Sequence, residues 1–131
     1  MKYIFNDDHV ADIIGELHDD VYNAKNIGVT IGGEPLVFDP DEYQKSLNNT
    51  ENFLQRICGY TVNSNINYVC DYDFKPHIHF ESVQSHNPGV HVWFRSDGTI
   101  NSKQDNVEST LTSSKDELIE YLIDNNYISS P

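Results

Sequence analysis

The sequence predicts an α+β fold, a single domain with a mostly antiparallel β-sheet flanked by about three helices. Three observations point to it. Apolar residues recur at helical spacing near both ends of the chain and at period two through its centre. Capping signals open the helical stretches, and turns rich in Asn, Pro, Gly and Ser separate the central runs. Helices and strands also segregate along the chain instead of alternating, which favours α+β over a doubly wound parallel sheet. A length of 131 residues fits one domain, residues 1–131.

Lys2-Tyr3-Ile4-Phe5 reads as a first strand. Asn6-Asp7-Asp8 supplies N-cap residues for a helix whose apolar stripe is Val10, Ile13, Ile14, Leu17 and Val21. Alternation at Ile27, Val29 and Ile31, broken at Gly32-Gly33 and resumed at Leu36-Val37-Phe38, predicts a hairpin. Asp39-Pro40-Asp41-Glu42 joins a capping acid, a proline at the first helical position and a Glu able to close a capping box. The helix it opens runs through Tyr43, Leu47, Phe53, Leu54 and Ile57 to Gly59, with Asn48-Asn49-Thr50 as a place for an interruption.

Period-two runs follow at Tyr60 to Val62, Ile66 to Tyr72, His77 to Val83, Val90 to Phe94 and Val107 to Thr112. Asn63-Ser64-Asn65, Asn87-Pro88-Gly89 and Ser96-Asp97-Gly98 are the turns between them. Ser113-Ser114 with Glu117 caps a last helix carrying Leu118, Ile119, Leu122 and Ile123 and ending near Asn125-Asn126.

Twenty-one acidic residues against 8 Lys and Arg give a net charge of −13, which argues against direct binding to nucleic acid or an anionic membrane. A basic partner is the electrostatic expectation. The chain shows no secretory leader pattern and no window able to span a bilayer, so the expected compartment is the cytoplasm. Two cysteines, Cys58 and Cys70, lack CxxC spacing and read as reduced core thiols.

On a helical projection of residues 8–21, Asp8, Asp12, Glu16, Asp19 and Asp20 gather opposite the apolar stripe. No Lys or Arg is interleaved one turn away, so Asp8 with Asp12 and Asp12 with Glu16 repel by a few tenths of a kcal/mol each. Asp19 and Asp20 would also oppose the dipole of a helix ending near Val21. Either this is an ordinary solvated helix face, or it is a carboxylate array that docks on a basic protein.

Four of the six histidines lie between His77 and His91. Alternation puts His77, His79 and Glu81 on one face of their strand and His91 and Trp93 on the same face of the next, with His79 opposite His91. Three imidazoles so placed can hold a zinc ion with an open fourth position, Glu81 or His86 acting as fourth ligand or general base. No cofactor is expected, with zinc at His77, His79 and His91 as the alternative. Trp93 on that face would be an interface anchor unless an element covers it as core. No GxSxG, P-loop, HExxH or dinucleotide loop is present.

The function these features favour is an inhibitory binding protein, an immunity protein or antitoxin of bacterial type that occludes the active site of a basic effector such as a nuclease toxin. Asp8, Asp12, Glu16, Asp19, Asp20 and Trp93 would meet the partner, with Tyr22 as a further anchor. The alternatives are a phage or plasmid DNA mimic that blocks a defence enzyme, a zinc-dependent hydrolase using the three histidines, and an interaction domain with no inhibitory role.

Overall fold

The central strands at Pro76–Phe80 and Val90–Phe94 each carry an apolar row, and burying those rows on one side orders the chain. The computed structural model describes residues 2–27, 30–31, 34–35, 40–70, 76–81, 89–104, 107–112 and 114–131. Its elements are β1 (Tyr3–Ile4), α1 (Asp7–Ile27), β2 (Thr30–Ile31), β3 (Glu34–Pro35), α2 (Pro40–Arg56), β4 (Thr61–Val62) and β5 (Ile66–Cys70). There follow β6 (Pro76–Phe80), β7 (Val90–Phe94), β8 (Ile100–Gln104), β9 (Val107–Thr112), α3 (Lys115–Asp124) and β10 (Ile128–Ser129). The architecture is the α+β fold expected.

Strands β5 to β9 form an antiparallel meander in sequence order. Pairing aligns Ile66 with Phe80 and Phe80 with Val90, Ile78 with Val92, and Phe94 with Ile100. All seven are buried. Helix α1 packs on β5 and α2, and α2 crosses β6 and β7. Phe53 of α2 sits 5.0 Å from the Phe94 ring and 6.4 Å from the Phe80 ring, centroid to centroid. Helix α3 adds Leu118, Ile119 and Leu122 to the same core.

Helix α1 starts where the sequence places it. Asn6 Oδ1 accepts the Asp8 and His9 amides at 2.9 and 3.2 Å, and the Asn6 amide donates to His9 Nδ1 at 3.1 Å. This is a reciprocal cap with histidine in the place usually held by Glu or Gln. The helix ends later than expected: Ile27 is its last residue and starts no strand. No proline precedes Pro35 and no glycine lies between Gly15 and Gly28, so nothing in that stretch breaks the helix before Gly28. The hairpin is present but short, with Thr30 opposite Pro35 and Ile31 opposite Glu34. Leu36-Val37-Phe38 and the capping residue Asp39 lie outside the described residues.

Helix α2 is continuous through Asn48-Asn49-Thr50, because each polar side chain there has a partner. Gln44 Nε2 donates to Asn48 Oδ1 at 2.9 Å, Asn49 Nδ2 donates to the Arg95 carbonyl at 2.9 Å, and the buried Thr50 Oγ1 donates to the Ser46 carbonyl at 2.9 Å. Beyond it Gly59, at φ +91°, turns the chain so that its amide donates to the Phe5 carbonyl at 2.8 Å.

Two strands were not expected, and one joins an unexpected sheet. β8 completes a hairpin with β7, and β10 pairs with β4, whose other edge takes β1. The strand at Thr61–Val62 thus belongs to a three-stranded sheet with both ends of the chain and not to the meander. Helix α3 begins at Ser114, whose Oγ accepts the Glu117 amide at 3.3 Å. It ends with Asn126 at φ 64°, where the Asn126 and Tyr127 amides donate to the Ile123 and Leu122 carbonyls, a Schellman closure that aims the chain into β10.

Replacing Phe53 with Ala removes the ring that joins α2 to two strands. Phe53→Ala is expected to lower unfolding free energy by about 3–5 kcal/mol, read by urea denaturation with an unchanged slope. In the β7–β8 turn the Thr99 amide donates to Asp97 Oδ1 at 2.8 Å, and this hydrogen bond holds the Asp97 carboxyl below its ordinary value of 3.8. A lowered folded pKa means the turn is stabilised above that ordinary value and the gain is lost as pH falls through the lower folded one. Carboxyl NMR titration is expected to place the Asp97 midpoint below 3.8.

Candidate functional site

Two groups of residues singled out by the sequence take defined places. On α1, Val10, Ile13 and Leu17 are buried and Ile14 is half-buried, while Asp8, Asp12, Glu16 and Asp19 are exposed. Asp20 lies on the same helix with its side chain outside the described set, as does Tyr22. Because α1 runs to Ile27, Asp19 sits more than two turns from its end. The opposing helix dipole expected there therefore does not reach it. Glu16 is engaged within the fold: Tyr68 Oη on β5 donates to its carboxylate at 2.5 Å.

Asp8, Asp12 and Asp19 make no ion pair among the described residues, where Arg56 with Asp116 is the one salt bridge. That pair is exposed on both sides and contributes little. Asp7 and Asp8 occupy the first turn, where the helix dipole favours negative charge.

A groove of about 620 Å³ separates α1 from α2, a feature no single-helix projection contains. Val10, Ala11, Ile14 and Gly15 line its α1 side, Glu51 and Gln55 its α2 side, and Asp7 one end. Cys58 Sγ donates to Asp7 Oδ1 at 3.5 Å, and burial, then Asp7, pushes the thiol pKa up. Cys58 is thus a half-buried protonated thiol at neutral pH and not an activated nucleophile. Cys70 falls in β5 with its side chain outside the described set.

Gly15 is solvent-exposed in mid-helix, and a Cβ built on it meets nothing within 4 Å. Glycine there costs about 1 kcal/mol relative to alanine.

The histidines stand in the register expected, His79 opposite His91. Their rings lie parallel, 4.1 Å apart at 3°. His77 stacks on Trp93 at 4.9 Å and 17°, and its ring is 71° from that of His91. An imidazole binds metal in its ring plane, so two rings stacked face to face direct their lone pairs side by side instead of toward one point. Among the described residues no group of three His, Cys, Asp or Glu is placed to hold a metal, so the arrangement lends no support to zinc at His77, His79 and His91. Glu81 instead accepts hydrogen bonds from the Asn65 and Asn67 amides. His86 lies outside the described residues.

Trp93 takes the core alternative. It is only 6% exposed, so it is not a surface anchor in this fold. Gly89 has a defined use here: a Cβ on it would come 2.3 Å from His79 Nε2 and 2.8 Å from the Phe80 carbonyl. The absence of a side chain is what lets the His79 ring lie flat against His91.

No helix among the described residues is long and apolar enough to cross a membrane. Comparison with protein families, with curated proteins and with solved structures finds no match for the chain.

Gly89→Ala is expected to destabilise the protein by about 1–3 kcal/mol, since one of the clashing atoms is backbone. Thermal unfolding measures that loss. Proton NMR of the His79 and His91 rings should show their mutual ring-current shifts diminish.

Proposed function

We propose that the protein is an inhibitory binding protein of immunity or antitoxin type, which neutralises a basic effector such as a nuclease by covering its cationic active site. The observation that carries this reading is the row of exposed, cation-free carboxylates Asp8, Asp12 and Asp19 on a rigid helix anchored by Val10, Ile13 and Leu17. The packed helix fixes the backbone that carries these carboxylates, and an Asp side chain has only two torsions to restrict on association. The carboxylates meet a basic groove with little further loss of side-chain freedom, and the net charge of −13 steers the encounter. A helix-borne row also gives fixed spacing, with Asp8 and Asp12 one turn apart and Asp19 two turns beyond Asp12.

The test is co-expression with the product of the neighbouring gene, followed by titration calorimetry of the purified pair. The expected result is a one-to-one complex whose affinity falls steeply between 50 and 500 mM salt, roughly the range over which screening of exposed charges becomes strong. The variant Asp8→Asn/Asp12→Asn/Asp19→Asn should bind at least about tenfold more weakly, each lost exposed pair accounting for up to about 1 kcal/mol. A salt-independent affinity, or an unaffected triple variant, overturns the reading. Competition with duplex DNA on several unrelated DNA-binding proteins would replace it with nucleic-acid mimicry.

A further inference from the structure

We infer that the groove between α1 and α2 is a docking seat for a basic protein segment, one that lays the aliphatic stem of an arginine or lysine on its floor and sets the cationic head between its carboxylates. The inference rests on the binding-protein reading above and assigns it a place on the molecule.

Three features converge on that occupant. The floor is apolar, formed by Val10, Ala11 and Ile14, and the ends and far wall carry Asp7, Glu51 and the Gln55 amide, with no Lys or Arg among the lining residues. An apolar floor beneath carboxylates matches a side chain that is hydrocarbon along its length and cationic at its tip. Arginine matches best, because its planar fork donates to two acceptors at once.

Gly15 is the second feature. It weakens the middle of α1, yet no atom of the described fold occupies the space its missing side chain leaves. With Ala11 one turn earlier, it leaves the helix backbone open to close approach from outside.

The third is charge. Asp8 and Asp12 stand exposed on the same helix beside the groove, so a cation approaching Asp7 also passes two further carboxylates without meeting a described cation paired to them. An anionic membrane or a nucleic acid would be repelled by the same residues. A basic protein segment is therefore the occupant the charge permits.

The test uses the full chain and a defined probe, the blocked peptide Ac-Leu-Arg-Ala-Leu-Arg-NH2, followed by amide NMR titration at low salt. Expected are saturable shifts at Ala11, Gly15, Glu51 and Gln55. Gly15→Leu fills the groove while keeping every charge and should abolish those shifts. Gly15→Ala should raise the melting temperature by a few degrees, showing that the position tolerates a side chain. Asp7→Asn/Glu51→Gln should weaken peptide binding by about fivefold or more, the scale of one or two exposed ion pairs.

Shifts confined to Asp8, Asp12 and Asp19 and indifferent to Gly15→Leu would overturn the groove and leave the acidic-helix reading standing. Equal shifts with the peptide carrying Glu in place of Arg would overturn both, since charge complementarity would then be irrelevant. No shift at any of these residues overturns the groove alone, because the calorimetric test with the neighbouring gene product is independent of it.

Discussion

The rest of the structure depends on how α2 lies across β6 and β7. Phe53 reaches both strands through Phe80 and Phe94, and Leu47, Leu54 and Ile57 bury the remainder of that helix face. Direction is fixed by polar contacts as well as by area. Ser46 and Asn49 donate to the carbonyls of Phe94 and Arg95, where β7 leaves the sheet, so the helix cannot slide along the strand without losing both. Tyr43 extends the constraint to the next layer by donating to the Leu17 carbonyl of α1 at 2.9 Å. With α1 pinned there and to β5 through Tyr68 and Glu16, its Val10, Ile13 and Leu17 stripe must face inward. The outward direction of Asp8, Asp12 and Asp19, and the groove beside them, follow from that packing.

The ends of the chain are held by a second arrangement in which asparagine recurs. Asn6 caps α1, Asn126 adopts the left-handed conformation that closes α3, and Asn63 Nδ2 donates to the Asn126 carbonyl at 2.8 Å. Asparagine suits these positions because its short amide bonds to nearby backbone and tolerates positive φ at small penalty. The outcome is that β1 and β10 flank β4, and Phe5, Tyr127 and Ile128 enter the same core as the meander.

Much of this was legible in the sequence wherever an apolar period or a capping residue carried the information. The α1 stripe, the Ser114 cap and the pairing of His79 with His91 all follow from period and spacing alone. β8 was not legible, because Ile100-Asn101-Ser102-Lys103-Gln104 has one large apolar residue and draws its strand character from pairing with β7 on one side and β9 on the other. The continuity of α2 was hidden for a similar reason: Asn49 is stable in a helix only because the Arg95 carbonyl, 46 residues away, accepts its amide. For the candidate site, alternation places residues on a face but does not set ring orientation. His77, His79 and His91 share their face as expected, yet His79 lies flat on His91 while His77 stacks on Trp93, which is buried instead of projecting outward. The groove needs two helices and the angle between them, which no local pattern encodes.

Local penalties are unevenly distributed over this molecule. Within the core, Thr50 bonds back along its helix and the Tyr43 hydroxyl finds a carbonyl. On α1 the outward surface departs from what stability alone favours in two ways. Asp12 lies one turn from Asp8 and from Glu16 with no described cation between, and Gly15 weakens the helix where a larger residue would fit. The two departures are independent in physics, one electrostatic and one a matter of backbone entropy, yet both fall within the nine residues from Asp8 to Glu16. Neither departure serves the packing of the inward face, where Val10, Ile13 and Leu17 are buried without it. Departures from local consistency that cluster without a compensating contact among the described residues are what the proposed binding surface would carry. Under the proposed function that compensation is met on the α1 surface and its groove, while the His77–Trp93 and His79–His91 stacks lie within the sheet.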